Sequence, residues 1–265
     1  MSNPAPSAGP SHQDLWVERE GEVLWLTINR EERRNAMSPA VLAGMSEQIT
    51  AAQTDRSLRA IVITGTGTKA FCAGADLQTD KTFVQDYSEP YGRMANLLRL
   101  ARQSNVPLIA RVNGACMAGG FALLSMCDLA VAASHAQFGL PEVKVGVFPA
   151  QVLSVLQHLI PRRKLAEMCL TGEPITAAQA LEYGLVNYVD DNVDERLTWL
   201  LTRLLDKSPA AQRRGMYTMK KIESMGFEES MSFTESQIAL FTLTEDAAEG
   251  KKAFQEKRKP NWTGQ

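Results

Sequence analysis

Two runs of small residues, FCAGAD at 71–76 and NGACMAGG at 113–120, are where this chain could do chemistry. Each follows a stretch that reads as a strand, ending at Gly65 and Val112, and precedes one that reads as a helix. At such junctions main-chain N–H groups are free to point outward, and the helix dipole is positive. Small side chains also let a ligand come up to the backbone. Two such runs aimed at one oxygen would form an oxyanion hole, in which a single donor is worth about 10²–10³ in rate. The competing reading is tight helix–strand packing, which asks for the same glycines.

Other chemistries find less support. Cys72, Cys116, Cys127 and Cys169 form no CxxC pair and read as reduced, buried thiols rather than a metal site. His12, His135 and His158 are scattered, so no nucleophilic triad is indicated. GxGxxG is absent, and GTGTKAFCAG (65–74) lacks the GK[ST] ending of a phosphate loop. A net charge of −2 gives no electrostatic case for nucleic acid or an anionic membrane. No stretch approaches the roughly 18 apolar residues of a membrane helix. Residues 1–13, MSNPAPSAGPSHQ, read as a mobile tail and not as a secretory signal. The expectation is a cytoplasmic protein.

The elements that must position the two runs can be read in part. LWVERE (15–20) and EVLWLTINR (22–30) are expected strands around Gly21, the second apolar on both faces. Ser38-Pro39 opens a helix with Val41, Leu42, Met45 and Ile49 on one side. AIVITG (60–65), LIARV (108–112) and DLAVA (128–132) are further strands, and the spacing predicts a helix over 86–104. Thr176 and Gln179 stand at capping-box spacing, with Gly184 as terminator. From 193 onward the pattern is helical, broken at Ser208-Pro209. Strands alternating with helices, then helices alone, imply an α/β core over 14–192 and a helical region over 193–265.

The order FCAGADL, PLIARVNGACMAGGFALLSMCDLAVA, AQFGLPEVKVGVFP and LTGEPITAAQALEYGLVNYV, closed by EGKKAFQEKRKP, resembles the enoyl-CoA hydratase/isomerase (crotonase) superfamily from about residue 14 to 262. The resemblance implies a spiral of ββα units with a helical C-terminal trimerisation region, assembled as a homotrimer or a dimer of trimers. It implies an acyl-CoA substrate, with no cofactor beyond the coenzyme A of that substrate. The N–H groups of Ala75 and Gly119 would hold the thioester oxygen of an enolate. Ala73, Asp76, Leu77, Gly120 and Ala122 would flank substrate. Phe254 and Lys257 would reach the CoA of a neighbouring subunit, and Lys69 is a candidate for a CoA phosphate.

Enolate chemistry needs a proton carrier, and Glu142 in FGLPE stands at the family's glutamate position. A carboxyl group in an apolar pocket has a raised pKa and can carry a proton near neutrality. The hydratases normally hold a second glutamate just after the second glycine run, where this chain has Ala122. It also has PAQVLSVL (149–156) where they often carry a glycine-rich PGGGGTQ-like run. Three readings stay open. Glu142 alone could hydrate an enoyl-CoA, it could shuttle a proton in double-bond isomerisation, or the chain could bind acyl-CoA without turnover. Asp76, Asp80, Asp86 and Glu89 are candidate replacement carboxylates. The chain also resembles the bacterial hydratases of isohexenylglutaconyl-CoA, a branched, carboxylated substrate. Arg93 could meet its carboxylate, and Phe121, Ala122, Val147 and Phe148 could line its acyl tail.

Overall fold

The computed structural model describes residues 14–76 and 88–265. The expected tail at 1–13, Leu77, Asp80 and Asp86 lie outside the described residues. The strands are β1 (Leu15–Glu20), β2 (Val23–Ile28), β3 (Ala60–Gly65), β4 (Ala70–Cys72), β5 (Leu108–Val112), β6 (Ala115–Met117), β7 (Leu129–Ala133), β8 (Gln137–Gly139), β9 (Ile175–Thr176) and β10 (Tyr188–Asp190). They form a six-stranded sheet in the order β1-β2-β3-β5-β7-β10 and a smaller one in the order β4-β6-β8-β9. β1 and β2 make an antiparallel hairpin around Gly21, whose φ of 59° needs no side chain in the way. From β2 onward the large sheet is parallel.

The chain commutes between the sheets. β3 in the large sheet leads to β4 in the small one, and β5 leads to β6, and β7 to β8, in the same way. Each step is a strand pair followed by a helix or a helical turn, which is the expected spiral. The central strands are buried on both faces, as crossover connections require. Ile61 and Ile63 of β3 join one apolar cluster, and Ala60 and Val62 join another.

The helices are α1 (Pro39–Ala52), α2 (Arg93–Gln103), α3 (Gly120–Ser125), α4 (Ala150–Leu156), α5 (Arg162–Thr171), α6 (Ala177–Glu182), α7 (Val193–Leu205), α8 (Pro209–Ile222), α9 (Phe227–Thr242) and α10 (Glu245–Gln255). Their ends follow capping chemistry. The Ser38 and Ser208 hydroxyls accept from the N–H groups of Val41 and Ala211, each ahead of a first-turn proline. Thr176 and Gln179 close a full capping box. The helix expected over 86–104 is a correction: it starts at Arg93, after turns and bends over 88–91. Among the described residues, no helix is long and apolar enough to cross a membrane.

The helical C-terminal stretch is fastened to the large sheet. Leu197, Leu200 and Leu204 of α7 cover the second apolar cluster. The buried Arg59 guanidinium donates to the Lys207 carbonyl at 2.7 Å and to Gln212 at 2.8 Å, just past the end of α7. Asp246 ties the chain end to α8. It accepts from Ser208 Oγ at 2.7 Å and from the N–H groups of Ala210, Thr263 and Gly264 at 3.2, 2.8 and 3.0 Å. Burial opposes its charge, but these donors win and hold its pKa below the usual value.

The sign of its pH effect follows from that depressed pKa. Asp246 stabilises the fold fully above the unfolded carboxylate pKa of about 3.9, and its contribution fades as pH falls through the lower folded value. The Tm of Asp246→Asn should therefore lie well below wild type at pH 7, with the gap closing in acid. Thermal unfolding of both proteins across this range checks it, and a gap independent of pH would contradict the account.

Candidate active site

The small sheet builds the site. β4, β6 and β8 run parallel, Cys72 pairing with Cys116 and Met117 with Gly139, so their carboxyl ends lie side by side. Ligand sites in α/β folds gather at such ends. Within three residues of each end come Ala75, Gly119 and Glu142. The expectation that each glycine run lies directly between strand and helix needs correction. Each run overlaps a three-residue strand, and it is the pairing of those strands that brings the runs together.

Ala118 takes the left-handed conformation (φ 50°) and ends the β6 ladder, so the next peptide turns away from the sheet. Among the described residues, neither the Gly119 nor the Ala75 N–H has an acceptor. A Cβ added to Gly119 would meet the Ala75 nitrogen at 3.5 Å and Met37 Cε at 2.8 Å. The two amides therefore border one small space, as an oxyanion hole requires. Gly120 serves a different end: a Cβ there would stand 2.3 Å from the Cys72 carbonyl oxygen. The two glycine readings divide between neighbours, approach to an oxygen at Gly119 and packing at Gly120. α3 is only six residues long, so its dipole adds little to the donors themselves.

Two buried asparagines hold the turn that leads into the first run, and sequence reasoning missed both. Asn113 Nδ2 donates to the carbonyls of Gly65, Gly67 and Ala70 at 3.0, 2.7 and 3.3 Å. Asn35 Nδ2 donates to those of Thr66 and Ala70 at 2.9 and 2.7 Å. The sequence shows Asn113-Gly114 only as a turn; full burial of an amide between two glycine runs is the signal that a fold adds.

Glu142 sits in the first turn of a 3₁₀ segment, Pro141–Val145, ended by Gly146 at φ 79°. Its side chain is half-buried, and its Oε2 is shut from solvent with no hydrogen-bond partner. Burial raises its pKa above the ordinary value. α5 packs against this turn, and the buried Cys169 thiol is pushed up first by burial and then by the Glu142 charge. A buried polar atom without a partner costs free energy, and a carboxyl oxygen held this way at a sheet end is a candidate reactive group. The thiols are poor nucleophiles by contrast: burial pushes Cys72 up to about 12.

The remaining candidates scatter. Ala122 exposes no surface and Gly120 is buried, so both shape the site from behind. Phe121 is a correction as an acyl-tail contact, being wholly buried and edge-on to Phe138 at 6.2 Å. Val147 and Phe148 are exposed beyond Glu142. Asp76 is not a loose carboxylate: Arg30 holds it at 2.7 Å. Ala73 is half-buried beside the hole, while Lys69, Glu89 and Arg93 are exposed. Phe254 (85% exposed) stands in the last turn of α10 and Lys257 just beyond it, both exposed.

Comparison with known proteins places the chain in a family. Residues 18–265 match the family model described as enoyl-CoA hydratase/isomerase. The chain is 34% identical to 2,3-dehydroadipyl-CoA hydratase of Escherichia coli K12, over 95% of this chain and 99% of that protein. It is 31% identical to (E)-benzylidenesuccinyl-CoA hydratase of Thauera aromatica, over 94% and 98%. The crystal structure of enoyl-CoA hydratase from Mycobacterium smegmatis superposes with a TM-score of 0.88 at 32% identity, covering 94% and 98%. The fold is the crotonase fold, and the chain belongs to the enoyl-CoA hydratase/isomerase family.

Proposed function

We propose that this protein adds water across the α,β double bond of an enoyl-CoA, with Glu142 as its proton carrier. The observation that carries this reading is the half-buried Glu142 carboxyl, its Oε2 without a hydrogen-bond partner, at the same sheet end as two amides that have no acceptor among the described residues. In the forward step the carboxylate takes a proton from water as the water oxygen bonds to the β-carbon. The double-bond electrons move onto the thioester oxygen, where the Ala75 and Gly119 N–H groups stabilise the enolate. The enolate then collapses, and Glu142 returns that proton to the α-carbon. No electrons leave the substrate, so the reading needs no cofactor beyond the CoA that substrate brings.

Isomerisation is the second reading, favoured by Ala122: at the position of the usual second glutamate there is no proton carrier. Glu142 would then move one proton between two carbons of an enolate. Reaction in ¹⁸O-water separates the two: label in the product supports hydration, and an unlabelled isomer overturns it. Binding of enoyl-CoA with neither product would place the chain among non-catalytic acyl-CoA binders.

The finer reading is a branched, carboxylated acyl group, isohexenylglutaconyl-like, met by Arg93. Its support is the whole-chain resemblance and two relatives named for dicarboxylic acyl groups. A higher kcat/KM for an uncarboxylated substrate of equal length would sink it. The exposed Phe254 fits a homotrimer or dimer of trimers in which a neighbouring copy and its CoA cover that ring. The free, mostly buried thiols suit a cytoplasmic setting.

A further inference from the structure

Ala75 lies in no long strand. It is held by a single parallel bridge to Met37, in which Met37 N–H donates to the Gly74 carbonyl at 2.8 Å and Asp76 N–H to the Met37 carbonyl at 3.1 Å. Peptide groups alternate direction along an extended chain. With its neighbours tied to Met37, the Ala75 N–H is turned to the other side, where Gly119 lies. One further bond, from the Ala73 N–H to the Arg34 carbonyl at 3.0 Å, backs the bridge on one side, and so short a pairing is a weak means of fixing a catalytic donor.

One cation spans both sides of that bridge. The Arg30 guanidinium donates to the Ala36 carbonyl at 2.5 Å, one residue before Met37. It also donates to Asp76 Oδ2 at 2.7 Å, one residue after Ala75, and pairs with Asp14 at 3.2 Å. Asp14 in turn accepts from Ser38 Oγ at 2.6 Å, just beyond Met37. Both the Arg30 and Asp76 side chains are largely buried. Only a planar fork of several donors can serve these acceptors at once.

We infer that Arg30 is a positioning residue of the oxyanion hole, acting through Asp76 and the Ala36 carbonyl to set the direction of the Ala75 N–H. The inference rests on the proposal that this N–H receives the thioester oxygen. It separates Arg30 from a residue that merely stabilises the fold. Hydrogen bonds weaken steeply once misaligned, so a slack bridge would cost enolate stabilisation while leaving the grip on CoA alone.

Two variants test it: Arg30→Lys, which keeps the charge and loses the fork, and Asp76→Asn, which keeps the shape and loses the charge. The readouts are kcat, KM, the Kd of free CoA, and the ultraviolet absorbance of acetoacetyl-CoA, whose β-ketoacyl enolate forms in a working hole. We expect kcat to fall about tenfold to a hundredfold in each variant, and the enolate fraction to fall with it. KM and the Kd of CoA should stay within about threefold, the pattern of a loss confined to the transition state. The double variant should be no slower than the worse single one, because both break one chain of contacts. A folded Arg30→Lys with wild-type kcat and enolate absorbance overturns the inference, as does an equal loss in CoA binding. If Arg30→Lys does not fold, Asp76→Asn decides by the same criteria. Wild-type protein that forms the enolate without hydrating substrate would sink the hydratase reading alone; wild-type protein that forms none would sink the hole.

Discussion

Glu142→Gln should lower kcat by about 10³, the middle of the range for general acid–base catalysis, because one carboxyl handles the proton in both half-reactions. Glutamine keeps the shape and can neither take a proton from water nor return one to carbon. The same change should raise stability at neutral pH. Burial lifts the folded pKa of Glu142 above its unfolded value, so the folded state holds its proton more tightly. As pH rises from the unfolded value of about 4.3 through the folded one, the folded wild type pays for an ionised, half-buried carboxylate whose Oε2 has no partner. Glutamine carries no such charge. The Tm of the variant should exceed that of wild type at pH 7 and converge with it in acid. Activity lost with Tm gained is the signature of a site group kept at a cost to stability. Activity retained would remove Glu142 from the mechanism, and a Tm gap that persists in acid would point to packing instead of ionisation.

How much of this was legible depended on the length of each signal. Capping residues carry a local pattern, so Ser38-Pro39 and Thr176 with Gln179 marked helix starts where the structure has them, and the break read at Ser208-Pro209 falls where α8 begins. β5 was read at its true bounds because four apolar residues and Arg111 form a short run that precedes a turn. The strands that build the site were not legible. AFC, ACM and QFG are three residues each, too short for alternation to show, and the first two overlap runs dominated by small residues. The partners of the first glycine run and of the turn before it lie far away in sequence: Asn113 reaches back to Gly65, and Arg30 forward to Asp76. Glu142 follows a proline in a short turn, where local reasoning expects a surface carboxylate; only the family's order of segments singled it out. Its buried, unpartnered oxygen is a property of packing between α5 and that turn, which no local window contains.

The adjacent glycines should separate cleanly when each is given a methyl group. Gly119→Ala suits its backbone, since φ is −56°. The new Cβ would meet Met37 Cε at 2.8 Å, the free end of a flexible side chain that can swing aside. Its other neighbour is the Ala75 nitrogen at 3.5 Å, which is ordinary contact for carbon. The cost falls on the substrate, because an oxyanion must come within about 2.7–3.1 Å of that nitrogen and the methyl group intrudes on the space. kcat/KM should drop by about 10²–10³, the effect of losing one donor, with Tm and the Kd of free CoA close to wild type. Gly120→Ala has no such freedom. Its Cβ would lie 2.3 Å from the Cys72 carbonyl oxygen and 3.1 Å from the carbonyl carbon, atoms of the β4 backbone that cannot move without parting β4 from β6. Overpacking of this kind costs about 1–3 kcal/mol, so Tm should fall and activity should fall with it. Calorimetry and steady-state kinetics on the pair decide the matter. Gly119→Ala with undiminished turnover would place the thioester oxygen elsewhere. A Gly119→Ala that loses Tm as heavily as Gly120→Ala would show that both glycines serve packing, the reading that competes with an oxyanion hole.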